Sequence, residues 1–276
     1  MNFTTIAFSL KVFLVSIILM VTSNFLDSNF DQLKHHWVDS NIIRGQNFLS
    51  TRETYSAVVL GSSITAGLRL DRKIFNLSIS SNGASTGIEI LLKKEKLPDI
   101  VIVETNYLYN QLNESIVENI DNYSFNFPFS LFNVFKKKVK FLNFIKEEIS
   151  DFLRNSLNRG EFKSRKENLV LSYKERFYPD DFNKKEVSRN VKTFFEKADL
   201  LIKKGTRFIY VKTPLHPLLD QSLKNKFSYQ QMRKHLSGVE IINIAQYDAD
   251  ILVDGIHPTK EGREIFTREI NRLVGF

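Results

Sequence analysis

The chain has 276 residues, 42% hydrophobic and 25% charged, enough for one large domain or two small ones with a sizeable core. It contains no cysteine, which excludes a disulfide, a thiolate nucleophile and a Cys-based metal site. The formal net charge is +8, yet the basic residues are scattered apart from short runs such as FKKKVK (135–140). There is no zinc-finger spacing and no basic helix with regular base-reading residues, so the charge balance points away from nucleic acid and towards an anionic membrane surface or an acidic glycan.

In chain order, residues 6–21 (IAFSLKVFLVSIILMV) are apolar except for Ser9, Lys11 and Ser16. They read as a signal peptide with Lys11 closing its basic region, or as an anchor over residues 3–22 with Lys11 snorkelling. The uncleaved anchor is favoured, and both readings place the rest of the chain outside the cytoplasm. Residues 1–23 are therefore the signal anchor or signal peptide, and 24–55 a polar connecting segment with a short helix. His35, His36 and Trp37 have no partner at a metal-ligand spacing and read as surface.

From residue 56 the pattern changes. SAVVLG (56–61) is a short buried strand ending in glycine, and SSITAGL turns into a helix. KIFNLSI (73–79) is a second strand, SSNGASTGIEILLKK (80–94) a turn and helix, and PDIVIVETN (98–106) a third strand. The middle, about 107–190, breaks this rhythm and reads as a helical insertion, with an amphipathic helix over 141–153. The rhythm resumes with a helix over 188–205 closed by Gly205, a strand over 206–217, a strand over 239–245 and a last helix over 259–274. Strands alternating with helices predict an α/β fold: one three-layer α/β/α domain over 56–276, with a parallel sheet of about five strands.

Sites in open α/β sheets gather at the carboxyl ends of the strands. After the first strand come Gly61, Ser62 and Ser63, after the second Ser81, Asn82 and Gly83, and after the third Asn106. The last strand-to-helix connection carries Asp254 and His257. A serine hydroxyl is a weak nucleophile that needs a base within hydrogen-bond reach, and His257 can supply it. Asp254, three residues earlier, can hold the imidazole in the right tautomer. Pro258 biases His257 towards extended backbone. The oxyanion needs preorganised donors: the Ser63 N–H, a backbone N–H in the 81–83 turn, and the Asn106 amide. A serine opening a helix also lies near the positive end of its dipole. His216 stands at another strand end and could line the site, though it reads first as a loop histidine. Glu104, two residues before Asn106, could point to the same side or be structural.

The set VVLGSSIT, NLSISSNGAST, ETN and DGIHPTKEG resembles the SGNH hydrolases, also called the GDSL esterase/lipase superfamily. Their first block is Gly-Asp-Ser. Here Gly61-Ser62-Ser63 makes Ser63 the matching nucleophile, and the replacement of Asp by Ser62 leaves Ser62 as a minor alternative. Asn106 matches the third block, and Asp254 and His257 match the Asp-x-x-His block. For the glycine of the second block Gly83 is the choice, with Ser81 as an alternative register. The resemblance covers about 56–106 and 206–274 and implies ester chemistry through an acyl-serine without a cofactor or metal. Placed outside the cytoplasm, such a protein is expected to remove or add O-acetyl groups on a cell-surface or exported polysaccharide. A transferase would need a multi-spanning membrane partner as acyl donor. Two other readings are a lipase or lysophospholipase with an acyl channel from the Phe-rich 125–144 region, and a non-catalytic scaffold of a polysaccharide export complex.

Overall fold

The computed structural model describes residues 37–124, 162–244 and 251–275. The apolar segment at 6–21, His35, His36, the Phe-rich 125–144 stretch and the helix expected over 141–153 lie outside these residues. Among the described residues no helix is long and apolar enough to cross a membrane. The described residues fall into two units. One contains helix α1 (Trp37–Ser50) and residues 118–124. Its contact is close, since a side chain at Gly45 would meet the Ile120 side chain at 2.3 Å.

The other unit, residues 51–117 and 158 onward, carries the sheet. Five strands form it: β1 (Ala57–Leu60), β2 (Ile74–Asn76), β3 (Ile100–Glu104), β4 (Arg207–Lys212) and β5 (Ile241–Asn243). All pair in parallel, in the order β2-β1-β3-β4-β5. β1 and β3 are central and buried on both faces, which is why AVVL and IVIV are continuous apolar runs rather than alternating ones.

Between the strands run α2 (Ser63–Ala66), α3 (Ala84–Leu92), α4 (Glu114–Ser124), α5 (Phe162–Phe177), α6 (Lys184–Ile202), α7 (Pro217–Asp220), α8 (Leu223–His235) and α9 (Lys260–Val274). Helix α6 starts earlier than its apolar pattern suggests, because the Asn183 side chain accepts the Glu186 N–H at 3.1 Å and caps it. β2 is shorter than KIFNLSI implies. The Asn76 side chain turns back to α2, donating to the Thr65 carbonyl at 2.8 Å and accepting the Ser78 N–H at 3.2 Å. Helices α7 and α8 occupy a stretch to which the sequence pattern assigns no element. α8 buries mainly Asn225, Ser228 and Met232, so it lacks the apolar stripe by which helices are recognised. Thr259 caps α9 by accepting the Gly262 N–H at 3.1 Å.

The strand order decides where a site can form. From β1 the chain moves outward to β2, then crosses back to β3 and onward to β5. Under the right-handed crossover rule this reversal puts α2 and the later connections on opposite faces. The crevice between the carboxyl ends of β1 and β3 is the switch point where ligands bind in such sheets. Ser63 follows β1, and Asn106 follows β3.

Candidate active site

The turn after β1 is built to hold Ser63. Ser62 is the N-cap of α2, and its Oγ accepts the Ile64 N–H at 3.2 Å. Its own hydroxyl donates to Glu104 Oε1 at 2.7 Å and its N–H to Oε2 at 2.9 Å. Thr65 Oγ1 donates to the same Oε2 at 2.8 Å. Ser62 is 2% exposed and its hydroxyl is engaged twice, so the alternative nucleophile is locked beneath the turn. Gly61 has no side chain because a Cβ there would meet Thr65 Oγ1 at 2.1 Å and Glu104 Oε2 at 2.7 Å. Burial pushes the Glu104 carboxyl upward, against the lowering effect of the Ser62 and Thr65 donors. Helix α2 is a single turn, so its dipole adds less at Ser63 than a long helix would.

Ser63, half-buried, faces the last connection. Its Oγ lies 2.9 Å from His257 Nε2, and His257 Nδ1 lies 2.7 Å from Asp254 Oδ2. Burial alone would raise the Asp254 carboxyl. The His257 ring and backbone N–H groups, the imidazolium charge and the Ile256 N–H outweigh it, and bring it down to about 2. An ionised carboxylate only accepts, so Nδ1 carries the proton. That leaves Nε2 as the acceptor of the Ser63 hydroxyl, the arrangement a general base requires.

The loop holding this pair is shaped locally. Leu252 bridges Pro258 in antiparallel fashion, and the Val253 N–H donates to the His257 carbonyl at 2.8 Å. Pro258 thus sits on extended backbone. Asp254 Oδ1 accepts the Ile256 N–H at 3.1 Å and the His257 N–H at 2.8 Å, an Asx-type turn that Asp favours. His216 braces the loop from the end of β4: its N–H donates to the Gly255 carbonyl at 2.8 Å. Its Nδ1 accepts the Leu218 N–H at 3.2 Å, capping α7.

The three oxyanion donors expected from the sequence fare differently. The Ser63 N–H opens α2 and has no hydrogen-bond partner among the described residues. Asn106 is buried, with Nδ2 donating to the Thr213 carbonyl at 2.9 Å and Oδ1 accepting the Thr213 N–H at 3.1 Å. This pair of hydrogen bonds to the end of β4 fixes the amide and, among the described residues, leaves its second Nδ2 hydrogen open. Gly83 needs correction: its N–H already donates to the Ile79 carbonyl at 3.1 Å, so the amide is spent within the turn. What glycine contributes at 83 is backbone shape, since φ is +70° and a Cβ would meet the Tyr107 carbonyl at 2.8 Å. The amide of this turn with no hydrogen-bond partner among the described residues belongs to Ser81, which is exposed and held at φ +67°. A non-glycine residue in that region is strained by roughly 1–3 kcal/mol, a cost often found at functional turns.

Two residues of the site were not singled out for it by sequence. Glu104 anchors the nucleophile turn from β3. Tyr173, on α5, donates its hydroxyl to Asp254 Oδ2 at 3.1 Å from 81 positions away. No local pattern around Tyr173 signals this contact.

No family model matches the chain, and no curated protein matches its sequence. Among solved structures, one from Streptococcus pneumonia, provisionally described as a platelet activating factor, is similar to it. The two share 11% identity with a TM-score of 0.44, over 94% of this chain and 99% of that one.

Proposed function

We propose that the protein is a serine ester hydrolase or acyltransferase of the SGNH type. The observation that carries this is the continuous chain from Ser63 Oγ through the His257 ring to the Asp254 carboxylate, at 2.9 and 2.7 Å. In this reading Ser63 Oγ attacks the ester carbonyl while His257 Nε2 takes its proton. Asp254 stabilises the imidazolium. Charge developing on the carbonyl oxygen is met by the Ser63 N–H, the Ser81 N–H and the open hydrogen of Asn106, with Ser81 in place of Gly83. His257 then returns the proton to the leaving alcohol, leaving an acyl-Ser63. Water or a sugar hydroxyl, deprotonated by the same ring, attacks that ester and frees Ser63.

The substrate we propose is an O-acetylated polysaccharide at the cell surface or in transit to it, reached by a chain anchored outside the cytoplasm. The net charge of +8 suits an acidic glycan, and the apolar run at 6–21 suits an anchor. If the acceptor is a sugar, the acyl group comes from a multi-spanning membrane partner. The engaged, buried Ser62 and the hydrogen-bonded Ser63 favour this reading over a scaffold that has kept only the fold.

The test is labelling of the full chain with a fluorophosphonate, followed by peptide mapping. Modification at Ser63 that disappears in Ser63→Ala and His257→Ala supports the proposal. A folded parent that is not labelled favours the scaffold. Rates on p-nitrophenyl esters falling with acyl length support an acetyl substrate, and rates rising with length favour a lipase.

A further inference from the structure

Asp254 offers about four lone-pair positions, and the structure fills four. Oδ1 takes the Ile256 and His257 backbone N–H groups, and Oδ2 takes His257 Nδ1 and the Tyr173 hydroxyl. Three of these donors come from the loop itself. The fourth comes from α5, which lies in the middle segment outside the stretches that resemble a known family. Helix α5 is seated closely on the loop. A Cβ at Gly255 would lie 2.6 Å from Val170 Cγ2 and 3.0 Å from His216 Cβ, and Val170 is 2% exposed. Val170 already supplies an apolar seat for the helix. The Tyr173 hydroxyl adds a directed bond to one carboxylate oxygen, the same oxygen that holds His257.

We propose that Tyr173 is a positioning residue that completes the hydrogen-bond shell of Asp254, and through it sets the orientation and proton affinity of His257. The inference rests on the acyl-transfer reading of Ser63, His257 and Asp254. Physically, a donor on Oδ2 draws off part of the negative charge that His257 Nδ1–H meets. It also stops the carboxylate from rotating about its own bond. Burial and the Asp254 charge push the phenol up to about 12, so it stays a donor across the working range. The other titratable groups acting on this carboxylate are Tyr107, just after β3, and His257 itself, while Arg176 on α5 acts on the Tyr173 phenol. All of them remain when Tyr173 becomes Phe.

The experiment compares the parent, Tyr173→Phe and Val170→Ala as full chains. His257 is titrated by NMR with isotope-labelled histidine, and the pH dependence of fluorophosphonate labelling at Ser63 is measured in parallel. In Tyr173→Phe, losing a donor to the carboxylate strengthens its pull on the imidazolium. The expected result is a His257 midpoint higher by about half a pH unit, with the acid limb of labelling moving equally. Labelling at neutral pH falls by up to about threefold, the most that half a pH unit on the acid limb can give. Val170→Ala loosens the seat of α5 and lowers thermal stability, and leaves the midpoint where it is. An unchanged midpoint in Tyr173→Phe, or an equal shift in Val170→Ala, overturns the proposal and leaves Tyr173 a helix-docking residue. A shifted midpoint in a chain that is never labelled keeps the coupling of Tyr173 to His257 and refutes the acyl-transfer reading instead.

Discussion

Replacing Glu104 tests how the nucleophile turn is held. Glu104 is 1% exposed and accepts three donors: the Ser62 N–H, the Ser62 hydroxyl and the Thr65 hydroxyl. In Glu104→Ala the two hydroxyls have recourse, since Thr65 keeps Ser78 at 2.8 Å and the Ser62 hydroxyl can rotate. The Ser62 N–H has none. A buried donor left without an acceptor costs about 1–3 kcal/mol, and the emptied space adds to that. Relief from burying a carboxyl offsets part, for a net loss of about 2–4 kcal/mol. Glu104→Gln is the control. Its oxygen can take the Ser62 N–H and Thr65 hydroxyl where Oε2 stands, and its NH2 can donate to a rotated Ser62 hydroxyl, for a change within about 1 kcal/mol. The pH dependence has a definite sign. Burial raises the Glu104 carboxyl in the folded state, so its contribution is present below the unfolded value and is lost as pH rises through the folded one. Urea unfolding from pH 4 to pH 8 should therefore show Glu104→Gln gaining on the parent as pH rises. Labelling at Ser63 should slow by about ten- to a hundredfold in the Ala variant and by less than tenfold in the Gln variant. Glu104→Ala matching the parent in urea, or Glu104→Gln losing ground as pH rises, would refute the reasoning.

Other changes are expected to separate chemistry from shape. Asp254→Asn presents an amide to Nδ1 and favours the wrong tautomer, so labelling at Ser63 should drop about 10³–10⁴-fold with the fold retained; a rate near the parent's would remove Asp254 from the mechanism. The same carboxyl, brought down to about 2, contributes stability above its unfolded value of 3.8 that is lost as pH falls. Urea midpoints at pH 5 and pH 3 should show the parent losing about 1 kcal/mol more than Asp254→Asn. Gly83→Ala forces a Cβ to within 2.8 Å of the Tyr107 carbonyl at φ +70°, and should lower stability by about 1–3 kcal/mol in thermal unfolding. If Gly83→Ala is neutral, the turn after β2 does not have the shape described.

The amino-acid sequence by itself carried everything built from neighbours along the chain. The apolar runs of β1 and β3 mark strands buried on both faces, and the alternation of strand and helix marks a parallel sheet. Asp254 and His257 lie three residues apart, close enough for the pairing to form within one loop. Ser63 is legible as a serine opening a helix after a strand. Helix α8, with a polar sequence and few buried side chains, is not legible, because its place is set by what packs around it. Only the tertiary structure joins Ser63 to His257, 194 positions apart: one follows β1 and the other follows β5, and the parallel sheet directs the carboxyl ends of both strands to the same edge. It alone decides between neighbouring serines, burying Ser62 against a carboxylate 42 positions away and leaving Ser63 to face the imidazole. It likewise turns the Gly83 amide inward and brings Tyr173 onto Asp254. The physical reason is one of range. Turn, cap and periodicity preferences act over a few residues and are written locally, whereas a hydrogen bond between distant side chains exists only once packing has brought their backbones within reach.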